Sequence, residues 1–208
     1  MEPRRTRNRR GEGGRLRGEL VSAASRLLET ISGEEALSLR AVARQAGVAP
    51  QSVYLHFANR RELMTAVYAV RFGELSAELS AAASAAEARG PGARLAAICH
   101  AYCDYGVRHP GRYRVLFGNA GAPGWEPEAM PGLATWSFFG AAVRDCLDTA
   151  ADDASADGTA VCIWAALHGL LALRRDRPSF PWPDLNVLID TVLAAHLHLP
   201  RPRVADDA

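Results

Sequence analysis

Apolar residues recur every three or four positions along most of this chain, and strand-like alternation is nearly absent. From about Leu16 to Ile31, the residues Leu20, Ala23, Ala24, Leu27, Leu28 and Ile31 share one helical face. A second, shorter helix begins after Ser38, a good N-cap, with Leu39, Val42, Ala43 and Ala46 at helical spacing. Gly47 stands where a helix ends in a left-handed residue, and Val48 turns back to the core. Pro50 suits the first turn of a third helix, in which Val53 and Phe57 point inward and Gln51, Ser52, Tyr54 and His56 outward. Asn59 to Glu62 has the form of a capping box that opens a fourth helix.

Two short helices around a tight turn, with small Ala43 and Gly47 at the crossing, make a helix-turn-helix. Such a unit buries little by itself. It presents one short helix at a fixed angle, as entry into a DNA major groove requires.

Beyond Leu63 the pattern remains helical. The fourth helix runs from about Arg60 to Ala88, continuing or kinking near Gly73, and Arg89–Gly92 stops it. Further helices are expected over about Ala93–Arg108, Arg112–Phe117, Leu133–Ala150, Asp157–Arg174 and Asp184–Leu197. Gly118–Gly132, rich in Gly and Pro, reads as a long loop that lids a cavity or connects. The fold class is therefore all-α, with about nine to ten helices. Its expected divisions are a disordered basic arm (1–14), a helix-turn-helix domain (15–61), a helical ligand-binding and dimerisation domain (62–199) and a flexible tail (200–208).

Charge sharpens this division. The 208 residues carry a net charge of only +1, which alone argues against a nucleic-acid partner. However, residues 1–61 hold 12 Arg against 6 acidic residues, whereas residues 62–208 hold 12 against 17. The basic excess sits with the helix-turn-helix, the electrostatic footprint of a DNA-reading end. All 24 basic residues are arginine, a bias fitting a high-GC genome. The arm's five arginines raise nonspecific affinity or reach into a minor groove, or form a solvated tail.

No run of 18 apolar residues occurs, so no membrane span is expected, and no signal-peptide segment follows the basic start. Cys99 and Cys103 lie four apart beside His100, but they continue the apolar face of Leu95 and Ile98. Buried free thiols in a cytoplasmic protein are the expectation, and no metal or cofactor. Four Cys and six His could serve an enzyme, yet no nucleophile elbow, phosphate loop or metal-spacing motif accompanies them.

With Ala43/Gly47/Val48 at the turn, Tyr54-Leu55-His56-Phe57, and a basic residue at position 60, the N-terminal part resembles the TetR family of transcriptional regulators. Arg60 stands where that family usually has lysine. The resemblance implies that Arg40 approaches a base edge or phosphate and that Gln51 and Ser52 lead the recognition helix into the groove. It assigns Tyr54, His56 and Arg60 to backbone phosphates. Arg can form two hydrogen bonds to guanine and Gln two to adenine, each pair worth roughly 1–3 kcal/mol of discrimination. Packing between the third and fourth helices is the other use open to Tyr54 and His56, and a solvated helix end to Arg60 and Arg61.

In the C-terminal part, Ile163–Leu170 contains Trp164, His168 and Gly169. With Tyr102, His109-Pro110, Tyr113 and Phe117, this resembles the ligand-binding and dimerisation domain of a TetR subgroup bearing a Trp-x3-His-Gly motif. The resemblance implies a homodimer joined through the last two long helices and a palindromic operator on double-stranded DNA. It also implies a small-molecule effector and repression as the default. Tyr102, Phe117, Trp136, Phe139, Trp164 and His168, with Tyr105 and Met130, are the candidate pocket, and an ordinary helical core is the alternative.

Overall fold

The computed structural model describes residues 13–30, 37–117, 130–147 and 153–197. Residues 1–12 of the basic arm, most of the Gly/Pro-rich loop and the C-terminal tail lie outside these, whereas Gly13 and Gly14, expected in the arm, already belong to the first helix. All regular structure among the described residues is helical, as the apolar period requires. The helices are α1 (Gly13–Thr30), α2 (Leu39–Ala46), α3 (Pro50–Tyr54), α4 (Arg60–Ala86), α5 (Pro91–Arg108), α6 (Pro110–Phe117), α7 (Leu133–Arg144), α8 (Asp153–Asp176) and α9 (Leu185–Leu197). One 3-10 turn, Glu87–Arg89, follows α4 and ends at Gly90, whose φ is 92°.

Four helices begin earlier than the sequence indicates: α1 at Gly13, α8 at Asp153, and α5 and α6 at prolines. Pro91 and Pro110 are the first residues of α5 and α6. A proline at that position loses no helical hydrogen bond and arrives with a suitable φ, so it starts the helix it appeared to precede. Gly73 does not interrupt α4.

Two compact units divide the chain. One comprises Met1–Gly73 with His109–Gly132, the other Glu74–Arg108 with Leu133–Ala208. In the first unit Leu20, Ala23, Ala24, Val42, Val53, Phe57, Leu63 and Val67 form one core that Val115 of α6 joins. Helix α6 is fastened to the end of α1 by Arg114, whose Nη2 donates to the carbonyls of Leu28 (3.0 Å) and Glu29 (2.7 Å). Glu29 also accepts from buried Arg71 at 3.0 Å and lies 3.9 Å from Arg112.

The second unit is a helical bundle around Leu75, Leu95, Ile98, Cys99, Val143, Ile163, Leu167 and Ile189. Arg94 ties α5 to α7 through Asp145 at 2.9 Å. Helix α9 is held to α5 by His100, with Nε2 2.8 Å from Asp190 and Nδ1 3.1 Å from Asn186. Helix α8 departs from expectation: residues Ala154–Asp176 are long and apolar enough to cross a membrane, by length and composition alone.

Candidate nucleic-acid interface and effector site

The helix-turn-helix is set by its ends. Ser38 Oγ accepts from the Ala41 N–H at 3.1 Å, and Gly47 closes α2 in the left-handed region at φ 67°, ψ 34°. There the Gly47 N–H donates to Arg44 O (3.2 Å) and the Val48 N–H to Ala43 O (3.0 Å), satisfying carbonyls that the helix leaves open. Pro50 then starts α3. Val53 and Phe57 are fully buried, with the Arg17 guanidinium 4.9 Å from the Phe57 ring centroid. Phe57 lies beyond the end of α3, its N–H donating to Val53 O at 2.9 Å.

At the next helix, Asn59 Oδ1 accepts from the Glu62 N–H at 3.0 Å, one half of the capping box. The Glu62 carboxylate accepts instead from the N–H of Ala58, one residue before the cap, at 2.8 Å. This places Arg60 and Arg61 on the first turn of α4, both exposed.

Around this frame the candidate contact residues face outward. Arg40 and Gln51 are exposed, Tyr54 is 54% exposed, and Ser52 and His56 are half-buried. The set therefore offers a fork-shaped cation, a carboxamide and hydroxyls on one buried scaffold. Cations and hydroxyls suit phosphate oxygens, and the carboxamide suits an adenine edge. Leu55, to which the sequence assigned no role, is the most exposed large apolar residue among the described residues, at 84%. Its position between inward-facing Val53 and Phe57 was the available signal.

In the second unit Tyr102, Trp136, Phe139, Trp164 and His168 come together. Trp164 Nε1 donates to the Tyr102 hydroxyl at 3.2 Å, which lies 3.4 Å from His168 Nδ1. While accepting from Trp164, the hydroxyl can also donate to Nδ1 of a neutral imidazole. Burial, and secondarily the Arg175 charge, hold the His168 pKa below its ordinary 6.5. Trp136 packs edge-on to Trp164 at 5.9 Å between centroids and lies 6.0 Å from Phe139. His168 is 5.8 Å from Trp164.

Phe117 is not in this cluster. It belongs to the first unit, where it meets Tyr113 at 4.8 Å and Phe72 at 5.9 Å. Met130 is likewise in the first unit and exposed, while Tyr105 is fully buried in the second.

Cys99 and Cys103 are buried thiols. Burial and then Asp104 push Cys103 up to about 12, and burial raises Cys99 also. Such thiols are held protonated and are poor nucleophiles.

Helix α8 carries an uncovered face. Gly158, Cys162, Ala165 and Gly169 follow one another at helical spacing, flanked by Val161 (47% exposed) and Leu173 (53% exposed). Among the described residues, a Cβ placed on Gly158 or Gly169 would meet nothing within 4 Å, so no neighbour there accounts for these small residues.

Comparison with known proteins covers both units. Residues 20–67 match the family described as "Bacterial regulatory proteins, tetR family", and residues 95–196 match "Tetracyclin repressor-like, C-terminal domain". An HTH-type transcriptional regulator of Mycobacterium tuberculosis is 30% identical over 105 residues, 50% of this chain and 44% of that protein. The match to the curated relatives thus spans less than half of their length. Among solved structures, a protein of unknown function from Rhodococcus sp. RHA1 is 28% identical with a TM-score of 0.72, covering 88% of this chain and 94% of that one. A TetR-like transcriptional regulator, also from Rhodococcus sp. RHA1, shares the fold with a TM-score of 0.62 at 15% identity, covering 91% and 96%.

Proposed function

The chain belongs to the TetR family of bacterial regulatory proteins, and from that membership we propose that it is a DNA-binding transcriptional repressor acting in the cytoplasm as a homodimer. Residues 15–61 read a palindromic operator, residues 62–199 sense and dimerise, and a small, largely apolar effector releases the DNA. The observation that carries this reading is the outward set Arg40, Gln51, Tyr54 and Arg60 on the buried Val53–Phe57 frame. Arg40 and Gln51 address base edges, Ser52 leads the helix into the groove, and Tyr54, His56 and Arg60 hold phosphates. Arg40→Ala and Gln51→Ala each weaken specific binding by about tenfold in fluorescence anisotropy, in line with 1–3 kcal/mol per base contact, and leave dimerisation intact. Retained operator affinity in both variants overturns the groove assignment.

A second copy accounts for the uncovered face of α8. Its small residues allow close helix approach, and one recognition helix alone reads too few base pairs for a specific site. The Trp164/His168/Gly169 likeness supports an effector near Tyr102, Trp136, Phe139, Trp164 and His168, with Phe117 left to the first unit. An effector acts only as far as it binds the releasing state more tightly than the DNA-bound one. One observation favours the alternative, a regulator whose C-terminal part only dimerises or binds protein: Tyr102, Trp164 and His168 already satisfy one another.

A further inference from the structure

From Ala36 to Arg61 the chain contains four arginines and no acidic residue, so the surface of the helix-turn-helix is built for a polyanion. Within that stretch stands an exposed apolar side chain. Leu55 closes α3 with helical dihedrals, φ −71° and ψ −18°, and is 84% exposed. Neither the core nor the cap explains it: Val53 and Phe57 on either side close the core, and Leu55's own N–H is already bonded to Val53 O. Because the backbone at Leu55 is still helical, Gln51 and Leu55 lie on one face, four residues apart and about 5–6 Å between Cβ atoms. That face therefore shows a carboxamide followed by an isobutyl group.

We propose that Leu55 is a specificity-determining residue that packs on the C5-methyl group of a thymine in the major groove, beside the base pair that Gln51 addresses. The inference rests on the DNA-reading function above. Phosphate oxygens offer an isobutyl group nothing, and the thymine methyl is the apolar feature that the major groove presents. Leu55 thus reads A·T pairs by contact where arginine and glutamine read by hydrogen bond.

The test starts from duplexes selected from a random pool by the purified full-length protein. In the enriched duplex each thymine is replaced in turn by deoxyuridine, which removes the methyl group alone. One such replacement per half-site weakens wild-type binding about fourfold, the worth of one buried methyl-sized group. Leu55→Ala loses this penalty, binding thymine and uracil duplexes alike, and unfolds at the wild-type temperature because its side chain is outside the core. If no thymine matters to the wild type, or if Leu55→Ala keeps the same penalty, Leu55 does not read the methyl group. If no sequence is enriched at all, the DNA-reading function falls first and the proposal with it.

Discussion

The Arg114 guanidinium donates to the carbonyl of Glu29 at 2.7 Å, one residue before the end of α1. With its bond to Leu28, it supplies donors and positive charge where a helix exposes carbonyls and the negative end of its dipole. Arg114→Ala lowers stability by about 1.5–3 kcal/mol, the range for hydrogen bonds to charged groups. Urea unfolding measures the loss. Arg114→Lys recovers only part of it, since an ammonium lacks the planar fork.

Two glycines differ in what they protect. Gly47 has a left-handed φ of 67° with open space where a Cβ would go. Gly47→Ala is therefore destabilising by conformation alone, about 1–2 kcal/mol. Gly132, at φ 90°, has the Phe72 ring 2.5 Å from that Cβ position. Gly132→Ala adds a steric clash to the conformational strain, and thermal unfolding finds it the more damaging of the two.

His168 gives stability a pH dependence. Its folded pKa lies below the ordinary 6.5, so between the two values the unfolded chain binds more protons. Stability from this group is complete above 6.5 and is lost as pH falls through the folded pKa. His168→Gln flattens the urea midpoint between pH 7.5 and pH 5.5. Because Trp164 lies against the imidazole, tryptophan emission in the wild type also drops as His168 protonates.

On α8, Val161 is 47% exposed and lies on the face assigned to the seam of the homodimer proposed above. Val161→Asp leaves the circular dichroism unchanged and raises the dimer dissociation constant by roughly tenfold or more, because a carboxylate at a dry seam is unpaired. Sedimentation velocity reads the shift. An unchanged dimer moves the seam elsewhere.

The helix-turn-helix was legible because several local rules agree within a few residues. Ser38, Gly47, Pro50 and Asn59 each act as their chemistry indicates. The Glu62 carboxylate, one residue off its expected partner, shows the limit of such rules: a flexible side chain chooses among neighbouring donors by backbone direction, which letters do not state. Pro91 and Pro110 were ambiguous for a related reason, since proline both ends one helix and begins the next. Phe117 marks a different limit. Periodicity identifies an inward face but not the unit that the face closes, and α6 closes the first unit although most of its neighbours in sequence build the second. The exposure of α8 was hidden in the same way, because an apolar helix face reads alike whether covered from within or from outside.

Val53 and Phe57 hold the reading turn together, while Gln51, Tyr54 and Leu55 stand largely outside the packing. Substitutions at such surface positions usually change stability by no more than about 0.5 kcal/mol. On the DNA-reading function proposed above, folding and target choice are therefore written in separate residues. A lineage can wander among operators one side chain at a time, with each intermediate as well folded as the last. The same separation makes this stretch a ready place to redirect the protein by design, provided that the two buried residues are left alone.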